Sequence, residues 1–222
     1  MSADTEPVGV AGLGETYTET PEEIEFELRC AEGAAWTGSR ILIGIVTFFF
    51  ASLAFAYFYL RSSNSEQLWR PSGATAPTGT GAAIALIAVA GAVLALYGAS
   101  RLRTGSFVDW QVAGWTVVGG GLLAVVLQCW ELTSLPFSPG SSGYASCFVG
   151  WAIMNIVLLM SGVYWTETML ARALRLRRAA IEEGGSSPTM SRLFMANLQA
   201  QSHYWGAIAV ISLLFWVLFY VI

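Results

Sequence analysis

The residues best suited to chemistry in this chain are few. Glu131 stands at the edge of an otherwise apolar segment, with Gln128 one helical turn before it on the same face. A carboxyl group in or beside a membrane span is costly, so it normally has a partner or a function. Two readings follow for this pair. One is a polar clamp between helices, with Arg61 or Arg70 as the cation; the other is an interfacial carboxylate in headgroup water. Asn155 falls in the middle of another apolar run, placed for an interhelical hydrogen bond or a ligand contact. Glu167 lies at the end of that run, close in sequence to several arginines and suited to structural pairing with them. A haem or copper site inside a bundle requires several His, Cys or Met ligands to converge, and the chain has one histidine, His203. Its three cysteines, Cys30, Cys129 and Cys147, are not spaced for a metal site or a redox pair. Cys129 and Cys147 lie near the outer ends of neighbouring spans, so they are read either as a bridge or as small apolar side chains. Neither a Walker sequence nor a dinucleotide fingerprint occurs.

The elements that must position these groups are membrane helices. Of the 222 residues 55% are hydrophobic and 12% charged, about half the charged share of a soluble domain. Several charge-free windows are long enough to cross a bilayer core of roughly 30 Å as helix. The fold class expected is an all-α membrane protein, a bundle of five transmembrane helices, with spans at about residues 41–60, 81–100, 110–132, 145–167 and 204–222. The apolar runs are continuous rather than alternating, which argues against a barrel. Residues 1–35 form an acidic amino-terminal arm, disordered through residue 21 and then either a short helix or a solvated acidic segment. Pro21 followed by acids fits a helix start. Residues 36–222 form the five-helix domain.

All eleven basic residues are arginines, and five spans distribute them unequally. Nine fall on the amino-terminal side and two, Arg61 and Arg70, on the other. By the positive-inside rule the amino terminus is cytoplasmic and the carboxy terminus outside. No secretory signal precedes the first span. The expected location is the cell inner (plasma) membrane, multi-pass. The segment of residues 170–201 is read as a cytoplasmic piece whose first half continues span four as a basic helix, stopped by Gly184, Gly185 and Pro188. Arg172, Arg175, Arg177 and Arg178 there set topology and attract anionic lipid headgroups. Close helix packing is expected at the face of Gly91, Ala95 and Ala99, four residues apart, and at Gly119, Gly120 and Gly121. The middles of the spans lack ionisable groups, which points to a subunit rather than a self-sufficient catalyst or pump.

Several passages resemble one family in order and spacing from about residue 36 onward. The run FFFASLAFAYFYLR ending at Arg61, with Trp69 and Pro71 after it, resembles the first shared span of haem-copper oxidase (cytochrome c oxidase) subunit III. Gln128-Cys129-Trp130-Glu131, then Tyr144-Ala145-Ser146-Cys147-Phe148, resembles that family's Gln-x-x-Glu and Tyr-x-Ser-x-Phe passage. Tyr204-Trp205 before a terminal apolar helix resembles its Tyr-Trp ending. Five spans match the short bacterial form. The sequence departs from the family at Val46, where a membrane-buried glutamate is usual, and at Asn155 and Leu158, where a His-x-x-His is usual. Gly206 and Ala209 replace a His and an Asp.

The resemblance implies an accessory subunit with no catalytic centre, no metal and no cofactor of its own. Such a subunit packs directly on oxidase subunit I, within a complex that includes subunit II and other small subunits. Haems and copper belong to those partners, and phospholipid is bound in a cleft. The complex, a cytochrome c or quinol oxidase, carries the enzyme activity, aerobic electron transport with proton translocation; this subunit supports proton uptake and the stability of subunit I. Gln128, Glu131, Gly91, Ala95, Gly119, Gly120, Gly121, Tyr144 and Trp205 are the helix-packing or subunit-contact candidates. No nucleic-acid partner is expected. Two alternatives remain at this stage: an independent small-molecule transporter, and a relative associated with nitric oxide reductase.

Overall fold

The computed structural model describes residues 20–71, 73–182 and 190–222. Among them five helices are long and apolar enough to cross a membrane, and no strand is present. The protein is an all-α, multi-pass membrane protein. Its helices are α1 (Pro21–Ser63), the short α2 (Glu66–Trp69), α3 (Thr78–Arg103), α4 (Phe107–Thr133), α5 (Gly143–Glu182) and α6 (Arg192–Trp216). The last continues as a π turn, Val217–Val221.

The start of α1 follows from local chemistry. Thr20 caps it, with its hydroxyl accepting from the Glu23 N–H and the Glu23 carboxylate accepting from the Thr20 N–H at 2.7 Å. This reciprocal capping box, with Pro21 in the first turn, satisfies backbone donors that a helix leaves open. From there the helix runs unbroken through the acidic arm and the first span. The arm from Pro21 is thus neither a separate short helix nor an unstructured acidic segment; of the disorder expected through residue 21, Thr20 and Pro21 instead start α1, and residues 1–19 fall outside the described residues. At the other end Asn64 stops the helix by donating its side-chain amide to the Leu60 carbonyl at 2.8 Å.

The basic continuation of span four is present. Helix α5 has 40 residues, about 60 Å at 1.5 Å per residue, twice a bilayer core. The expected stop at Gly184, Gly185 and Pro188 lies outside the described residues. Helix α6 begins at Arg192, twelve residues before the expected edge of span five. Its first turn holds the arm of α1 through an Arg192–Glu25 ion pair at 3.1 Å.

Packing is asymmetric. α3 lies against α4 and α6, α4 against α5, and α1 mainly against α6 and α5. The apolar window of α6 is 56% buried and that of α1 only 11%. Phe48, Phe55, Phe58 and Tyr59 are among the side chains α1 leaves exposed. The buried face of α3 is made mostly of small residues, Gly81, Ala85, Ala88, Gly91, Ala92, Ala95, Gly98 and Ala99, with Ile84 and Leu102 as its large side chains. In lipid, apolar side chains gain little by leaving an equally apolar solvent, so close backbone approach and dispersion drive association. Small residues on α3 permit that approach.

Candidate functional site

Glu131 sits on the last turn of α4 and is completely buried. Tyr220, from the π turn, donates its hydroxyl to both carboxylate oxygens, at 2.8 and 2.9 Å. The Gln128 side-chain amide also donates to Glu131. The Gln128 carbonyl oxygen accepts from the Asn155 amide of α5 at 3.0 Å, and the Asn155 oxygen accepts from the Ser212 hydroxyl of α6 at 3.1 Å. The path leaves the final helix at Ser212, crosses α5 and α4, and returns to its end at Tyr220. Three helices are closed into one loop of side-chain hydrogen bonds.

At 100° per residue Tyr220 lies five full turns from buried Ser202, so it continues a buried face of α6. The last turn is widened to i→i+5 bonding, as in the Ile222 N–H to Val217 carbonyl bond, and Leu218, Phe219 and Tyr220 are all buried there. Gly81 completes the arrangement: any side chain there would collide with the Tyr220 ring.

Aromatic rings cover the loop. Tyr144 stacks on Phe148 at 6.1 Å, and Tyr57 meets Trp69 edge-on at 4.9 Å and Phe219 at 5.2 Å. The Tyr144 hydroxyl donates to the Phe219 carbonyl at 2.9 Å, a backbone group within the π turn. The Arg70 guanidinium lies 4.8 Å from the Tyr144 ring centroid. Glu131 is thus the polar clamp between helices that its sequence position suggested, but with other partners. Its partners are a tyrosine and a glutamine rather than Arg61 or Arg70, and full burial removes it from headgroup water. Arg70 is held on the aromatic cap instead.

A second polar knot lies deeper along α5 and α6. The Thr166 hydroxyl accepts from Gln201 at 2.7 Å and from the Trp205 indole N–H at 2.9 Å, while donating to the Gly162 carbonyl at 2.8 Å. The Trp205 ring occupies a slot made by one glycine from each of three helices. A Cβ on Gly91 would lie 3.1 Å from the ring, and on Gly121 or Gly162 3.2 Å from it. The indole replaces side chains that these positions cannot carry, and its N–H is satisfied as burial requires. Tyr204 beside it shares a hydrogen bond with Ser161 at 2.7 Å.

The remaining candidates are placed as follows. Gly91, Ala95 and Gly121 face inward. Gly120 is half-buried, its nearest neighbour Ile87 at ordinary contact distance. Gly119 faces outward, and a Cβ placed on it would meet no neighbouring helix within 4 Å, so it is not a packing residue within the chain; at 100° per residue only one of three consecutive glycines can point at α5 and α6. Glu167 is exposed, and none of the ion pairs among the described residues includes it. The nearest arginine along the helix is Arg172, five residues on and off its face. Cys129 is exposed, Cys147 buried, and all three cysteines are free, so the two do not form a bridge. His203 bonds to the Gln199 carbonyl at 2.7 Å and packs edge-on against Trp36. Arg172, Arg175 and Arg178 are exposed on the projecting part of α5, where Arg177 lies over the Phe107 ring at 5.3 Å.

Sequence reasoning missed Tyr220, Ser212, Thr166 and Gln201. Ser212 and Gln201 were legible as polar residues inside the apolar stripe of α6. Tyr220 carried no such signal, because a tyrosine at the end of an apolar span equally fits the interfacial belt.

Chemically, Glu131 is the one carboxyl group in its cluster; the others are amides and hydroxyls, which both donate and accept. Such a set ties helices together at fixed register. Among the described residues no group of His, Cys, Asp and Glu is assembled that could ligate a metal ion. No known protein family matches the chain, and no curated protein does.

Proposed function

We propose that this chain is an accessory, cofactor-free subunit III of a respiratory haem-copper terminal oxidase. It sits in the inner (plasma) membrane with a cytoplasmic amino terminus, stabilises the catalytic subunit I and supports proton uptake during aerobic electron transport. The observation that carries the reading concerns the residues that resemble that family. Gln128, Glu131, Tyr144, Tyr204 and Trp205 are all engaged inside the bundle, in hydrogen bonds that lock α4, α5 and α6 to one another. Polar groups spent on internal ties suit a brace. The scarcely covered face of α1, lined by Phe48, Phe55 and Phe58, suits contact with a larger membrane neighbour. The positions where that family carries buried Glu, His and Asp hold Val46, Asn155, Leu158, Gly206 and Ala209, so the proposed role rests on packing. Subunit II, other small subunits and phospholipid complete the proposed assembly.

Extraction in mild detergent tests this. The chain is expected to bring with it a haem-bearing subunit identifiable by its visible spectrum. A stable native assembly without any haem protein overturns the reading, as does solute flux in liposomes from the chain alone. Glu131→Ala is expected to lower the yield of assembled complex while the haem spectrum of what remains is unchanged.

A further inference from the structure

Beyond the bundle's internal ties, a groove of about 470 Å³ runs between the projecting half of α5 and the first turns of α6. Its walls include Met169, Arg172, Arg175 and Leu176 from α5 and Leu193 and Phe194 from α6. Arg172 and Arg175 are exposed and three residues apart, on one helix face where like charges repel. Neither is in an ion pair among the described residues. The wall beside them is apolar, and Leu176 on it is exposed. A fitting occupant therefore carries acids and apolar side chains together. The chain has such a segment. Residues 1–19, outside the described residues, contain four acids, Asp4, Glu6, Glu15 and Glu19, and no lysine or arginine. Val8, Val10, Leu13 and Tyr17 are interspersed with them.

The root of that segment lies at the groove's rim. It joins α1 at Thr20, about one and a half turns before Glu25. Glu25 is paired with Arg192 at 3.1 Å, and the residues on either side of Arg192, Ser191 and Leu193, both line the groove. An extended chain reaches about 17 Å from Thr20 to Glu15. Arg172 and Arg175 lie within about 10 Å, along α5, of Ala179 at the groove's outer end. We infer that residues 1–19 fold back and occupy this groove, with the Glu15 carboxylate between the Arg172 and Arg175 guanidinium groups and Leu13 and Tyr17 on the apolar wall. In an extended segment positions 13, 15 and 17 share one face, so all three turn to the groove together. A carboxylate between the two arginines relieves their repulsion and presents oxygens to both forks. Tethered at the rim, the segment meets the groove at an effective concentration on the order of millimolar, an advantage that no free anion has. The contact is independent of the oxidase reading.

The test is photocrosslinking of the full chain in phosphatidylcholine bilayers, with p-benzoylphenylalanine in place of Leu13 and the joined peptides mapped by mass spectrometry. Crosslinks to α5 and α6 at the groove are expected, at Met169, Leu176 or Phe194, within a single chain. Glu15→Arg should lower their yield about five-fold, the loss of two exposed ion pairs of ordinary strength. The same charge change at Glu27→Arg, on the exposed side of α1, should leave the yield unaltered. Both substitutions lie outside the bundle core, so misfolding does not produce the difference between them. Crosslinks elsewhere, no crosslink, or an unchanged yield in Glu15→Arg overturns the inference. Equal loss in Glu27→Arg shows diffuse attraction and overturns it too. Crosslinks joining isotopically heavy to light chains in a mixed preparation assign the groove to a second copy, and loss of the crosslink on adding phosphatidylglycerol assigns it to lipid; either result refutes the fold-back.

Discussion

Replacing Tyr220 by Phe removes a single oxygen from a site 89 residues distant in sequence from the carboxylate it serves. That hydroxyl lies 2.8 and 2.9 Å from the two Glu131 oxygens, and without it Gln128 is the remaining side-chain donor to a fully buried group. A hydrogen bond to a charged group contributes about 1.5–3 kcal/mol net. Interhelical bonds between membrane helices average about 0.6 and reach about 1.7 kcal/mol. The two ranges overlap at about 1.5–1.7 kcal/mol, which is the cost expected of Tyr220→Phe at this buried site. Glu131 is fully buried, so bulk water does not reach it to replace the lost donor. Reversible unfolding of the purified chain in mixed micelles, followed by tryptophan fluorescence, measures this. A double-mutant cycle with Glu131→Gln isolates the pair, and its coupling is expected to be about 1–2 kcal/mol. A cost for Tyr220→Phe below about 0.5 kcal/mol, or strictly additive effects, would refute the claim that the loop closes the bundle.

Three further outcomes follow from the packing. Gly121→Leu should destabilise by at least about 1–3 kcal/mol through overpacking, because the added carbon meets Trp205 at 3.2 Å and Val163 closer still; Gly119→Leu should stay within about 0.5 kcal/mol of wild type in the same unfolding assay. Thr166→Val strands the Gln201 amide and the Trp205 indole N–H, at a cost of about 2 kcal/mol or more, and Thr166→Ser should restore most of it. Denatured without reductant, the chain should take up one maleimide at each of its three free cysteines; before unfolding, Cys147 should be protected while Cys30 reacts, as read by mass.

Much of the architecture was legible because its causes are local. The capping of α1 needs only Thr20, Pro21 and Glu23, all within one turn. The small-residue face of α3 could be read from Gly91, Ala95 and Ala99 by helical spacing alone. The candidate site was half legible. Gln128 and Glu131 announced themselves as polar residues in apolar surroundings, yet the shared side of the membrane suggested Arg61 and Arg70, the wrong partners. Arg70 is drawn to the Tyr144 face, while Glu131 points inward to a hydroxyl at the far end of the chain. Of three consecutive glycines, the sequence offered no means of choosing Gly121 over Gly119, since the choice depends on which way α4 is turned toward Trp205.

Residue order alone determined that this is a helical membrane protein with five long apolar segments. A backbone in hydrocarbon must satisfy its own hydrogen bonds, and a continuous apolar run about twenty residues long can do so only as a helix. Tertiary structure alone decided which polar atoms meet. Glu131 comes from α4, Asn155 from α5, and Ser212 and Tyr220 from the final helix and its π turn. Their meeting depends on Gly81 making room for a ring and on the rotation of each helix about its axis. Those are properties of surfaces fitted together in a medium that gives apolar side chains little reason to prefer one neighbour over another.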